Sequence, residues 1–301
     1  RLVDVVPLVV KAIQFDVRRG QSSVGSHVRD AACYSYWAFA RAYAPSILKP
    51  FVPELSRSIV LAFLFDREVN CRRAASAAFQ ECVGRQGANN FIHGISILTT
   101  ADYFSLGNIK NAFTNVALHV AQFPEYRYHI INHLYRVKLS HWDIEIRTLA
   151  SKSLHGVTPL DPELFKSLAI PYLVEHSLNE NLNVRHGAVI GLAEVMLALG
   201  EMESSSLENV HEDTLDSVVE LVAEIEKMRL YRGRGGEIMR TAVCRLIECI
   251  SQARVPLTVK QQVRYLDSID ACLKHPNADI QEAASKALFF LMRSYFPIRE
   301  N

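Results

Sequence analysis

With 301 residues, 49% of them hydrophobic and only 13 glycines, the chain has ample apolar surface to bury and little of the composition of disorder. Lys and Arg number 33 against 32 Asp and Glu, so no net positive field exists to attract nucleic acid or anionic lipid, and no nucleic-acid partner is expected. The longest purely apolar run, Ile59 to Phe65, is far short of the roughly 18 residues that cross a bilayer, and no membrane span is expected.

Arg1 stands where Met would begin a protein, and helix-like apolar sequence follows directly. The chain is therefore expected to start inside a repeat of a longer protein, with an apolar face open on each terminal repeat and fraying or self-association at residues 1–14. The six cysteines, Cys33, Cys71, Cys82, Cys244, Cys249 and Cys272, form no CxxC pair and fall in apolar helical stretches. That usage is expected of small buried hydrophobes in a reducing compartment, the cytosol.

One pattern recurs seven times: an apolar residue, usually a basic one, a variable one, then mostly small or apolar residues. In chain order the instances are Val28-Arg29-Asp30-Ala31-Ala32, Cys71-Arg72-Arg73-Ala74-Ala75, Ile109-Lys110-Asn111-Ala112-Phe113 and Ile146-Arg147-Thr148-Leu149-Ala150. Val184-Arg185-His186-Gly187-Ala188, Met239-Arg240-Thr241-Ala242-Val243 and Ile280-Gln281-Glu282-Ala283-Ala284 complete the series. Their second positions are spaced by 43, 38, 37, 38, 55 and 41 residues, close to the roughly 40–47 of HEAT and armadillo repeats. Each signature opens the second helix of a pair, which predicts such helices near 27–43, 69–83, 108–121, 143–155, 182–199, 236–251 and 278–296.

The intervening first helices carry their own apolar stripes, as in Val259, Val263, Leu266, Ile269 and Leu273. Asp161-Pro162-Glu163 reads as an N-cap, a first-turn proline and an acidic first turn, while Gly84 and Gly200 read as helix stops. The one long interval holds 201–216, with six acidic residues and no Lys or Arg, which reads as an acidic loop insert. No sustained strand alternation appears. The prediction is all-α: a single continuous HEAT/armadillo-type superhelical solenoid over 1–301, right-handed, of about seven helix pairs and without a sheet, whose concave wall binds a partner.

A basic residue at every repeat invites an anion-site reading, since a guanidinium fork suits phosphate. Recurrence favours a structural ladder instead, in which Arg29, Arg72, Lys110, Arg147, Arg185 and Arg240 hydrogen-bond carbonyls or carboxylates in the turn of a neighbouring repeat. Gln281 imitates part of it. Arg147→Ala and Arg185→Ala are then expected to cost about 1.5–3 kcal/mol each in stability.

The search for catalytic chemistry finds little. His129 and His133 lie four apart but enclose Ile130-Ile131-Asn132, without the glutamate of a zinc protease or an evident third ligand, and read as an exposed helical pair. The run Arg232-Gly233-Arg234-Gly235-Gly236-Glu237 lacks the Lys-Ser/Thr ending of a phosphate loop and reads as a corner between helices. No catalytic or metal residue and no cofactor is assigned, and the chain is expected not to be an enzyme. The stretch 84–107 is more informative, because it interrupts the helical rhythm with glycines, Asn89-Asn90 and Asp102-Tyr103-Phe104. Phe91, Tyr103 and Phe104 there either plug the segment onto its own repeat or meet a partner. Trp142, at the turn before a second helix, either seals a repeat junction or anchors a partner.

Several words go beyond repeat consensus: VRDAACYSYWAFARAY (28–43), DREVNCRRAASAAFQECVGRQG (66–87), HGISILTTADYF (93–104), FPEY (123–126), SHWDIEIR (140–147), NVRHG and YRGRGGEIMRTAVCRLIE. Together they resemble the tubulin-folding cofactor D family, discontinuously from 28 to 248, as a middle portion of that much longer protein. The resemblance does not extend to the acidic insert at 201–216 or to the exact length of the 88–92 loop, and no contacts are carried over there. The resemblance implies a cytoplasmic, microtubule-associated chaperone that captures β-tubulin and helps assemble or dismantle the αβ-tubulin heterodimer. It implies work shared with cofactors C and E and an ADP-ribosylation-factor-like small GTPase, in a complex that stimulates GTP hydrolysis by tubulin. The residues placed at partner surfaces in these words are Arg85, Gln86, Asp102, Tyr103, Phe104, His141, Trp142, Asp143 and Arg234. The alternative is a HEAT scaffold of another pathway, such as a transport receptor or a phosphatase subunit.

Overall fold

A computed structural model describes residues 1–20, 22–202, 207, 210–231 and 235–296. Contacts group the chain into two compact units, Arg1–His133 and Leu134–Asn301, where the sequence predicts one continuous array. Each unit is built of helix pairs of the HEAT/armadillo type.

In unit 1 the first pair is α1 (Leu2–Ala12) and α2 (Ser26–Ala42), and the second is α3 (Val52–Phe65) and α4 (Val69–Gln86). The second helices α2 and α4 pack on each other, and α3 packs on α4. A third pair is incomplete. Its first helix shrinks to α5 (Gly94–Leu98), its second is α6 (109–121, with a π-helical turn at Ala112–Val116), and α7 (Pro124–His133) follows. The expectation of no sheet is corrected by a two-stranded hairpin between α1 and α2, β1 (Val17–Arg19) and β2 (Ser22–Val24), paired Val17↔Val24 and Arg19↔Ser22. Its strands are three residues long and largely exposed, so no alternation of burial betrays them in the sequence. Gly20, at φ +65°, is the local signal of the turn.

Helix α4 runs past the expected stop at Gly84 to Gln86 and ends at Gly87, whose φ of +77° suits a glycine. The chain then folds back. Phe91 is fully buried, its ring 5.8 Å from Phe79, which in turn lies 5.5 Å from Phe63. A side chain at Gly94 would overlap Val83, so α5 rests directly on the end of α4.

In unit 2 a π-helical turn at Leu134–Lys138 precedes α8 (Ile144–Val157). Then come α9 (162–176), α10 (Leu182–Gly200), α11 (Glu212–Lys227), α12 (Gly236–Gln252), α13 (Val259–Leu273) and α14 (Ala278–Tyr295). Second helices α8, α10, α12 and α14 pack in succession. Their starts are set by side-chain caps: Asp143 accepts from Glu145 N at 2.9 Å, Asn181 from Asn183 N at 2.9 Å and Asn277 from Asp279 N at 2.9 Å. The acidic stretch 201–216 is a loop only in part, because α11 begins at Glu212; residues 203–206, 208 and 209 lie outside the described residues.

Helix α10 is long and apolar enough to cross a membrane by length and composition, yet 83% of its apolar window is buried inside the protein. It is the core of unit 2. A side chain at Gly187 would overlap the carbonyl oxygen of Leu139, and one at Gly191 would overlap the Leu139 side chain, so the turn before α8 presses onto bare α10 backbone.

Candidate functional site

The basic ladder residues fall into four groups. Arg72, Arg147 and Arg185 each reach back to the turn before their own helix: Arg72 Nη1 donates to Asp66 O and Arg67 O at 2.9 and 3.0 Å. Arg147 Nη1 donates to His141 O and Trp142 O at 2.7 and 3.1 Å, and Arg185 Nη1 to Asn179 O and Glu180 O at 2.6 and 3.2 Å. The acceptors are always five and six residues earlier, and Gln281 repeats half of this by donating to His275 O. Arg72 also crosses to the next pair, to Leu106 O and Gly107 O at 2.8 and 3.1 Å. Arg147 crosses to His186 Nδ1 and Asn183 Oδ1, both at 3.1 Å.

Arg29 pairs instead with a carboxylate, donating Nε and Nη2 to Asp66 at 2.6 and 3.1 Å, with Nη1 on Phe15 O at 2.8 Å. Burial pulls its acidity one way, but the bonded Asp66 carboxylate outweighs that and leaves the guanidinium above its ordinary pKa. Among the described residues Arg185 has no carboxylate partner, and burial holds its pKa below the ordinary value. Arg240 stacks 4.9 Å from the Tyr231 ring and approaches Cys272 Sγ at 3.9 Å.

Lys110 is the exception that requires correction. It is exposed and only the second residue of its helix, which Asn108 caps by accepting from Asn111 N at 3.2 Å. Arg147 and Arg185 stand four residues beyond their caps. At the third pair the rung is Asn111, whose Nδ2 donates to Ser105 O at 3.0 Å, again six residues back.

The residues assigned to partner surfaces separate in the same way. Gln86 is buried, 4% exposed, and donates to Ala40 O and Tyr43 O at 2.9 and 3.0 Å; it ties α4 to the end of α2 and presents nothing outward. His141, Trp142 and Asp143 are half-buried: Asp143 caps α8, His141 Nδ1 accepts from Asp143 N at 3.0 Å, and the His141 and Trp142 carbonyls serve Arg147. These three build a junction. Arg234 lies outside the described residues. His129 and His133 are half-buried instead of exposed, with the His133 ring 5.7 Å from Phe65. Among the described residues no group of three or more His, Cys, Asp or Glu could hold a metal.

What stays outside is the tip of the interrupting segment. Phe104 is 83% exposed, Ile95 69% and Tyr103 57%, although Phe91, Ile97 and Ala101 beside them are buried completely. The tip is held by Asp102, whose Oδ1 accepts from Phe104 N and Ser105 N at 2.8 and 2.7 Å; the Ser105 bond leads in holding its carboxyl below the usual range. Arg73 covers the Tyr103 ring at 3.8 Å and donates Nε to Tyr103 O at 3.2 Å. With Ala77 and Gln80 of α4, these aromatics enclose a groove of about 520 Å³. A neighbouring cluster on α2, Tyr34, Trp37 and Arg41, lies inside the word VRDAACYSYWAFARAY at helical spacing of three and four, but none of the three is among the residues assigned to partner surfaces from the sequence.

Residues 1–95 match the family described as Tubulin-specific chaperone D-like, ARM repeats. Over 252 residues, 83% of this chain, it is 39% identical to Tubulin-specific chaperone D of Dictyostelium discoideum. Over 196 residues, 65% of the chain, it is 30% identical to Tubulin-folding cofactor D of Schizosaccharomyces pombe. The matches span 17% of the length of each of these relatives. Among solved structures, an engineered protein at 13% identity and a designed armadillo repeat protein at 15% identity each align over 95% of this chain and 98% and 99% of their own, with TM-scores of 0.36 and 0.35. By these relationships the chain is a homologue of a portion of the tubulin-specific chaperone D proteins, whose ARM-repeat family its first 95 residues match.

Proposed function

We propose that this chain is part of a tubulin-folding chaperone and binds protein instead of catalysing a reaction. In this reading it contributes to capture of β-tubulin and to assembly and disassembly of the αβ heterodimer in the cytoplasm and at microtubules. It acts there with cofactors C and E and an ADP-ribosylation-factor-like small GTPase, in a complex that promotes GTP hydrolysis by tubulin. The observation that carries the reading is kinship with chaperone D proteins over 83% of the chain. Within it, the tip formed by Tyr103 and Phe104 is the contact element, because large aromatics held outside a packed segment are the groups that anchor protein interfaces.

Replacing the whole segment is the wrong test, since Phe91, Ile97 and Ala101 belong to the core. Tyr103→Ser with Phe104→Ser in the natural protein leaves that core intact. The expected result is an unchanged melting temperature and, in a pull-down from cytosol, capture of β-tubulin weakened on the order of tenfold or more. Undiminished capture removes the tip from the interface. Failure of the unaltered protein to retain tubulin at all returns the chain to a scaffold of another pathway.

A further inference from the structure

On the side of α2 and α4 turned away from the core, aromatic and guanidinium groups stand in a row. Tyr34, 67% exposed, stacks on Trp37 with centroids 5.4 Å apart and planes at 21°. Arg41 lays its guanidinium 4.6 Å from the Trp37 ring and donates Nη1 to Glu81 at 3.3 Å, and Arg85 donates Nε to the same Glu81 oxygen at 2.9 Å. The Arg41 and Arg85 side chains remain 46% and 54% exposed. At the other end of α4, Arg73 covers Tyr103 and, among the described residues, pairs with no carboxylate. Arg73, Ala77, Glu81, Gly84 and Arg85 share one side of α4 at helical spacing, and Ala77 and Gly84 leave a shallow floor between the arginines.

At the Arg41–Arg85 end two guanidiniums share one carboxylate, Glu81, in a chain whose formal net charge is only +1, while Asp30, four residues before Tyr34 on the same side of α2, and Asp102 are the other exposed carboxylates of this face. Asp102, on the rim, is occupied by its two backbone N–H groups. The step of twelve residues from Arg73 to Arg85 covers about 18 Å of helix, the length of roughly five or six residues of extended chain. We propose that this face of unit 1 binds an extended acidic peptide segment of a protein partner. Its carboxylates reach the Arg41–Arg85 pair, where two guanidiniums share a single carboxylate and bidentate pairing is available, and a flat side chain lies against Tyr34 and Trp37. A peptide fits better than a nucleic acid, because alternate residues can place a neutral group over Glu81, whereas an unbroken phosphate chain must pass that carboxylate.

The site shares Arg73 and Tyr103 with the groove at the tubulin-contact tip, but it does not require the partner to be tubulin, and no tubulin enters its test. A fluorescein-labelled peptide of about a dozen alternating Glu and Gly residues with one Tyr is titrated with the full chain and followed by anisotropy. Saturable binding is expected, weakening as NaCl is raised from low to physiological levels. Arg41→Gln with Arg85→Gln is expected to weaken it about tenfold and Tyr34→Ala severalfold, with melting temperatures unchanged. Lys274→Glu, in unit 2, is expected to leave it unaltered. Equal binding of the corresponding lysine peptide, or binding indifferent to the Arg41 and Arg85 changes, overturns the site. Tighter, Arg41-dependent binding of a single-stranded oligouridylate overturns the choice of partner.

Discussion

At the third pair, in unit 1, the first helix is reduced to the five residues of α5 and the rung of the ladder falls to an asparagine. At the junction of α8 and α10, in unit 2, helices of 14 and 19 residues meet where the turn at Leu139 presses onto glycine backbone and a full guanidinium bridges the gap. The regular junction consumes its side chains in packing. The irregular one leaves Ile95, Tyr103 and Phe104 outside, on a segment whose anchor is buried elsewhere. Between these two junctions, exposed apolar side chains come with the irregular repeat and close packing with the regular one.

The sharpest way to break this contrast is Gly187→Ala. A mid-helix Gly→Ala change ordinarily stabilises by about 0.5–1 kcal/mol. Here the new methyl overlaps Leu139 O, and a loss of about 4 kcal/mol is expected in chemical denaturation. Gly84→Ala, in α4 with nothing within 4 Å, should show the ordinary gain. Equal effects at the two glycines would show the junction to be no tighter than the surface.

Next comes Arg147→Ala, expected to cost about 3 kcal/mol because it leaves two carbonyls and the Asn183 and His186 side chains without their donor. Arg185→Ala, which releases only two carbonyls of its own turn, should cost about 1.5 kcal/mol.

The same rung sets a pH dependence. Burial first, and then the Arg147 charge, push the His186 pKa down from 6.5 to about 3. Since Arg147 can only donate, Nδ1 of His186 must stay unprotonated to accept. A depressed histidine pKa means that the unfolded chain takes up a proton before the folded one does. This contribution is fully present above about pH 6.5 and is lost as pH falls toward 3, with a slope of up to about 1.4 kcal/mol per unit. Denaturant midpoints of His186→Gln against wild type between pH 7 and 4 should show that slope reduced. His155 runs the other way. The Glu194 carboxylate, 3.4 Å from its Nδ1, raises its pKa, so its contribution is full below the ordinary histidine value and fades as pH rises through the raised one.

The smallest effect distinguishes the true rung of the third pair. Asn111→Ala should cost about 1 kcal/mol, while Lys110→Ala should fall within about 0.5 kcal/mol of wild type. The reverse order would restore the lysine to the ladder.

The seven second helices were legible because their signatures join a small buried face to a basic residue at a fixed place, and each lies within a few residues of its expected span. Lys110 misled because the ladder position depends on where the helix is capped, and Asn108 moves that start without disturbing the signature. Gln86 sits in a conspicuous word, VGRQG, yet the word is conspicuous for a packing reason: two carbonyls at the end of α2 need its amide. The hairpin escaped because three exposed residues per strand carry no periodicity. For Phe91, Tyr103 and Phe104 the composition could not separate plug from contact; only the fold assigns Phe91 to the core and the other two to solvent.

The rungs also bear on the order in which the chain assembles. Arg72, Arg147 and Arg185 each close a loop of only five or six residues before they meet any neighbour, so their turns can form early, at little loss of chain entropy, in whichever pair starts first. Among the described residues Arg29 has no such local partner: its acceptors lie 13, 14 and 37 residues away. The first pair must wait for α3 and the Asp66 that ends it, and is expected to be the slowest part of unit 1 to fold.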